Sequence, residues 1–236
     1  STAGNLEFEQ GAALGNNAIL DFSGSKIKLS GLLDISGGTL SSSSTSSLEL
    51  QTDSSLSSTA KFTVPSLDLN SKKLSLNSAT THLVVSNPFS AGTNESIDTK
   101  AGSLTLNGSA TLENAAAIES TSGALTFNGN VSLDNSSILL TGGSALFNSA
   151  AQISASQLKL NDSSLTLAAD VNMTNSSKLS LKNTNFLGSS KVKLTGGTLE
   201  LGGTIGSLSS VQTDANTSLE LNPDTTITRA DAMEAG

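Results

Sequence analysis

The chain has no cysteine, no tryptophan and no tyrosine, and its 236 residues include one histidine, three prolines and seven phenylalanines. Without cysteine, disulfides, thiol catalysis and cysteine-ligated metals are excluded. Aromatics make up only 3% of the chain, so the large rings that fill the middle of an ordinary globular core are missing. The core is expected to be narrow everywhere and built from Leu, Ile, Val and Ala. Positive charge is scarce too. Twelve basic residues against twenty acidic ones leave a net charge of −8, the wrong sign for nucleic acid or an anionic membrane surface. No apolar run approaches the ~20 residues that cross a bilayer, so membrane insertion of this segment is not expected. One histidine, His82, and no cysteine cannot make a Ser-His-Asp triad or a zinc site. "TGGT" lacks the Lys-Ser/Thr ending of a phosphate loop, and the Gly-Gly-x-Gly-x-Asp calcium repeat is absent. No cofactor and no metal are expected.

What is present is Ser, Thr, Gly, Asn, Leu and Ala from end to end, with no break in composition to separate two domains. Residues 1–236 therefore read as one unit. Disordered chains lack regularly spaced apolar residues, and here the spacing is strong; local disorder is expected only in tracts such as Ser41–Ser47. The phrase Leu-x-(Leu/Phe)-Asn and its variants start at Leu104, Leu125, Ala145, Leu158, Leu179, Leu199 and Leu219. Those starts are 21, 20, 13, 21, 20 and 20 residues apart, a period of about twenty with one short step. Inside each period lie three apolar alternations of period two, such as those from Leu158, Leu165 and Val171. Each is a short strand with one buried face.

Strands this short do not stand alone. Three per period, repeated, make sense when each pairs with its counterpart one coil away. The fold class is therefore all-β, a parallel β-solenoid of three strands per coil of about 20 residues. Coils stack at about 4.8 Å, and roughly eleven of them would form a rod on the order of 50 Å long. The step of 13 reads as a coil that lost one side near residues 146–158. Glycine pairs Gly37–Gly38, Gly142–Gly143 and Gly196–Gly197 read as corner turns at one edge, where two glycines turn the backbone without a Cβ clash. Asn107, Asn128, Asn148, Asn161 and Asn222 read as structural corners. Asn tolerates left-handed geometry and its amide can bond the Asn one coil away. Residues 87–100, "NPFSAGTNESIDTK", break the spacing and are expected to bulge out as a loop; residues 223–236 are expected to form a partial cap or an end without repeat. The opening residues already read as repeat, so a piece of a longer protein is expected.

Candidate chemistry is thin. Glu200 with Glu220, and Glu113 with Asp134, lie one period apart and could form the carboxyl pair that glycosidic cleavage needs, but they read better as solvated outward positions. The sole arginine, Arg229, and the absence of aromatic platforms offer a sugar little. His82 reads as an ordinary strand residue. An outward row Thr105, Thr126, Leu146, Lys159, Ser180, Glu200, Glu220 drifts from Thr to Glu, which argues against a lattice-matching ice-binding face. Asn-x-Ser/Thr sequons occur at Asn94, Asn107, Asn130, Asn135, Asn161, Asn172, Asn175 and Asn216, in a chain so rich in Ser and Thr that chance supplies most.

The segments "GSLTLNGSATLENAA", "GALTFNGNVSLDNSS" and "KLTGGTLELGG" resemble passenger-domain repeats of bacterial autotransporters and of two-partner-secreted filamentous-haemagglutinin-like exoproteins. The resemblance covers most of the chain and is strongest from 101 to 222. It implies a right-handed β-helical stalk, exported through the outer membrane and displayed or shed outside the cell. No protease triad, barrel or export signal of that family lies within these residues. The expected role is a non-catalytic stalk that adheres to a host or bacterial surface ligand, self-associates, or spaces a binding surface from the cell. The alternatives are a carbohydrate-active β-helix enzyme and, behind it, an ice-binding solenoid.

Overall fold

The computed structural model describes residues 4–15, 17–36, 38–59, 61–207, 211–229 and 234–235. It is an all-β solenoid of about ten turns, roughly 21 residues each, with every strand pairing parallel and no helix among the described residues. One turn shows the plan. Val131–Asp134 lies on face A, Ser137–Thr141 on face B and Ser144–Phe147 on face C. The next turn repeats it with Ala151–Ser154, Gln157–Asn161 and Ser164–Leu167. Val131 pairs with Ala151, Ile138 with Leu158 and Ala145 with Leu165.

The pairing corrects the reading of the short step. Leu104, Leu125 and Ala145 stack on face C, whereas Leu158, Leu179, Leu199 and Leu219 stack on face B. No side is lost. The Leu-x-Leu-Asn phrase moves from one face to another, because any face may use the same alternation. Residues 87–100 are likewise no bulge: Phe89–Ala91 and Ser96–Asp98 take their places on faces A and B, with Phe89 opposite Ala110 and Ile97 opposite Ile118. At the C-terminal end the ladder continues too. Thr226–Arg229 pairs with Thr204–Ser207, and Glu234–Ala235 pairs with Val211–Thr213; residues 230–233 and 236 lie outside the described residues.

The core is one file of side chains along the axis. In the turn from Val131, the inward residues are Val131, Leu133, Ile138, Leu140, Ala145 and Phe147, all buried. Each buried aliphatic side chain contributes about 1.5–3 kcal/mol. In several turns a large inward residue is matched by a small one, as close packing favours. The turns that bury Phe89, Phe127 and Phe147 also bury Ala91, Ala110 and Ala145 respectively. Phe127 and Phe147 stack with ring centroids 4.8 Å apart.

The corners are built differently from one another. At the A/B corner the chain turns through left-handed residues, Asn114, Ala115, Asn135, Ala155, Asn175 and Ser176 among them. After Asn135, Ala155 and Ser176 comes a buried serine, Ser136, Ser156 and Ser177. The Ser136 amide donates to Ser156 Oγ at 3.0 Å, and the Ser156 amide to Ser177 Oγ at 3.3 Å. At the B/C corner, Lys100, Asp162 and Asn183 are left-handed, and the buried hydroxyls include Thr81, Thr99, Ser163 and Thr184. The polyserine tract is ordered by the same device: Gly24 donates its amide to Ser43 Oγ at 2.7 Å, and buried Ser46 donates to the Phe22 carbonyl at 3.0 Å. Hydroxyl-rich sequence here satisfies buried backbone groups and is not a sign of disorder.

Candidate interaction surface

The glycine pairs do not share an edge. Gly38, Gly142 and Gly143 lie at the B/C corner, each just before or at the start of a face C strand, whereas Gly196 and Gly197 lie at the A/B corner before Gly197–Gly202. Gly37 lies outside the described residues. Gly142, Gly143, Gly196 and Gly197 all have positive φ. Among the described residues of these pairs the tightest approach is at Gly143, where an added Cβ would lie 2.0 Å from the Gly123 carbonyl oxygen.

The asparagines split as well. Asn107, Asn128 and Asn148 form one ladder at the C/A corner: Asn128 Nδ2 donates to Asn107 Oδ1 at 2.7 Å, and Asn148 Nδ2 to Asn128 Oδ1 at 2.7 Å. The expected bond from amide to amide is present there. Asn161 and Asn222 are not part of it. Asn161 ends a face B strand between Thr141 and Lys182, with a buried Oδ1 that has no partner, and Asn222 follows Thr217–Leu221 on the same face. None of these five has positive φ; the left-handed asparagines that follow strands are others, Asn70, Asn114, Asn135, Asn175 and Asn183 among them. The ladder amides thus serve hydrogen bonding, and the left-handed duty falls on other residues.

Both carboxylate pairs are neighbours on adjacent turns, Glu113 opposite Asp134 on face A and Glu200 opposite Glu220 on face B. Lys178 lies between the carboxylates of the second pair, with Nζ 3.0 Å from Glu200 and 3.4 Å from Glu220. That lysine, and then Ser180, hold the Glu200 carboxyl below its ordinary range. A general acid for glycoside cleavage needs the opposite shift. His82 is half-buried on face C, within 3.0 Å of Thr105 Oγ1, and burial followed by the nearby Lys61 charge pushes its pKa down. No group of three or more metal-capable side chains occurs among the described residues, and no helix is long and apolar enough to cross a membrane.

The outward rows also differ from the expected one. On face C the row is Thr63, Val84, Thr105, Thr126, Leu146, Thr166 and Leu187. On face B it is Asp98, Glu119, Leu139, Lys159, Ser180, Glu200 and Glu220. The drift from Thr to Glu came from joining two faces. The neighbouring row on face C runs Ser144, Ser164 and Asn185 after Ala124. Between Ser103 and Leu187 the charged residues are Glu113, Glu119, Asp134, Lys159, Asp162, Asp170, Lys178 and Lys182, and each lies on face A, face B or a corner. Between Ser103 and Leu187 face C is therefore an uncharged strip of hydroxyl and aliphatic groups, edged by the Asn ladder; Lys61 lies on the same face nearer the N-terminal end. Leu187 stands 47% exposed on it.

No family model, curated protein or solved structure matches this chain. Its surface therefore has to be read on its own geometry. The sequence had offered every residue of the uncharged strip, but not their assembly on one face, which depends on which strand pairs with which.

Proposed function

We propose that the chain is a stalk segment of a bacterial surface or secreted adhesin of the autotransporter or filamentous-haemagglutinin kind, and that face C is its contact surface. The observation that carries the reading is the strip from Ser103 to Leu187, free of charged side chains in a protein of net charge −8. Two copies repel through their net charge. A neutral, repeated face is where they can meet at least electrostatic cost. Each Ser, Thr or Asn contact is weak, but a row of them engages together, so avidity grows with the number of aligned turns. The same strip could meet a polar surface ligand on a host or neighbouring cell by the same multivalent logic.

Sizing at rising protein concentration and bead aggregation test the proposal. Association is expected to strengthen as salt screens the net charge. Leu146→Glu, which places a carboxylate at the centre of the strip, is expected to weaken it at least tenfold, whereas Lys159→Glu on face B should leave it nearly unchanged. A rod that stays monomeric at every concentration and does not bind cells would leave only the spacer role. Equal effects of the two substitutions would remove face C from the account.

A further inference from the structure

Four of the sequons fall on one edge in strict alternation. Asn94, Asn135, Asn175 and Asn216 are 41, 40 and 41 residues apart, which is two turns of roughly 21 residues each time. All four are exposed, and all four lie at the A/B corner, between Phe89–Ala91 and Ser96–Asp98, Val131–Asp134 and Ser137–Thr141, Val171–Thr174 and Lys178–Lys182, and Val211–Thr213 and Thr217–Leu221. Asn94, Asn135 and Asn175 occupy the left-handed tip of the turn, with φ of +64°, +49° and +54°. Consecutive members stand about 10 Å apart along the rod, two rungs of the parallel ladder. The turns between them have no sequon at this corner: Asn114 is followed by two alanines, and Ala155 and Gly196 replace Asn.

The other sequons lie off this edge. Asn107 accepts the Asn128 amide, Asn161 has a buried Oδ1, and Asn172 lies inside Val171–Thr174 between Gln152 and Lys193. Asn130 is exposed but stands alone at another corner. At the A/B tips, by contrast, the amides are committed only to exposed contacts, Asn175 Nδ2 to Ser154 Oγ at 2.8 Å and Asn216 Nδ2 to Asp214 Oδ2 at 3.4 Å.

We propose that Asn94, Asn135, Asn175 and Asn216 are acceptors for N-linked sugar, forming a glycan row along the A/B edge. The donor is a sugar activated as a phosphate ester. The asparagine Nδ2 bonds to the anomeric carbon, the bond from that carbon to the phosphate oxygen breaks, the phosphate departs with the electron pair, and one amide proton is lost to a base. Ser177, the hydroxyl of the third sequon, is buried and donates to the Ile153 carbonyl at 3.1 Å. Transfer to Asn175 therefore precedes closure of its coil. In a three-sided coil the A/B edge is opposite face C, so the row leaves the neutral strip uncovered. The proposal stands independently of what face C binds.

The test is peptide mapping by mass spectrometry of the folded protein as its source organism produces it. Hexose-sized or larger additions are expected at two or more of the four positions and at none of Asn107, Asn161 and Asn172. The quadruple variant Asn94→Asp, Asn135→Asp, Asn175→Asp and Asn216→Asp retains a residue that tolerates the left-handed turn. It should lose all of the row's added mass while keeping its β circular dichroism. Unmodified asparagines at three or four of the positions would overturn the row, and so would sugar found equally at Asn107 or Asn161.

Discussion

Residues 61–207 and residues 26–57 close the same coil in two ways. In the first region each turn is three short strands separated by corners. In the second, Lys26–Asp34 and Ser47–Ser57 run from face A to face B without a break. Their ladder pairs Leu29 with Leu50 and then Gly31 with Ser54, so the second strand absorbs two extra residues at the corner as an irregularity. Ser54 fills the space, accepting the Gly31 amide at 3.2 Å and donating to the Thr52 carbonyl at 2.8 Å. Both regions bury the same kind of aliphatic file. The corner, more than the strand, decides how regular a turn is: a left-handed residue followed by a buried serine ends a strand, and a bulge lets it continue.

The sharpest way to break this comparison is at the glycines. A Cβ on Gly123 would lie 1.7 Å from the Gly102 carbonyl oxygen, so Gly123→Ala has to displace backbone and is expected to destabilise by more than about 3 kcal/mol. Gly31, at the bulged corner, has φ +90° but no atom nearer than 3.6 Å to its added Cβ. Gly31→Ala should cost only the left-handed strain of about 1–2 kcal/mol. Denaturant melts of the two variants would show whether the regular corners are the less tolerant ones.

Next come the core leucines. Leu158 and Leu33 are both fully buried, one in each region, and Leu158→Ala and Leu33→Ala are each expected to lose about 2–5 kcal/mol. Matching losses would show that the file packs alike in both. A loss at Leu33 below half that at Leu158 would mark the long-strand region as loosely packed.

The corner hydroxyls should follow. Ser156→Ala removes the acceptor of the Ser136 amide, and Ser54→Ala removes that of Gly31. Each is expected to cost about 1–3 kcal/mol, with amide exchange rising at Ser136 or Gly31 respectively.

Ion pairs give the smallest effect. Lys178 with Glu200 in one region and Lys26 with Glu49 in the other are half-exposed pairs, worth below about 1 kcal/mol each. Glu200 and Glu49 are held below the ordinary Glu value of 4.5, chiefly by their lysines, and those lysines are raised above 10.5. The carboxylate contribution is thus complete above pH 4.5 and fades as pH falls through the lowered folded values. The lysine contribution is complete below 10.5 and fades as pH rises through the raised ones. Thermal melts between those limits should be flat with pH for this term, and Glu200→Gln should flatten part of the acid limb.

The solenoid and its three strands per turn were legible because period-two alternation and a repeat of about twenty are local properties. The buried residues Ile138, Leu140, Leu158 and Leu160 follow directly from that alternation. The candidate surface was not legible in the same way. Leu146 and Lys159 look equivalent in sequence, each following the first residue of a similar phrase, yet they lie on faces C and B. The glycine pairs were recognisable as corners, but which corner depends on the number of strands already passed, and the bulge at Gly31 disturbs any count from the N-terminal end.

By itself, then, the sequence determined the composition of the core, the alternation of inward and outward residues and the presence of corners. Each follows from backbone geometry and side-chain chemistry within a few residues. Only the tertiary structure decided register: that Thr126 stands beside Leu146, that Asn128 bridges Asn107 and Asn148, and that the charges between Ser103 and Leu187 all avoid one face. Register is a choice among nearly identical pairings some twenty residues apart, and the close fit of each coil against the next selects among them.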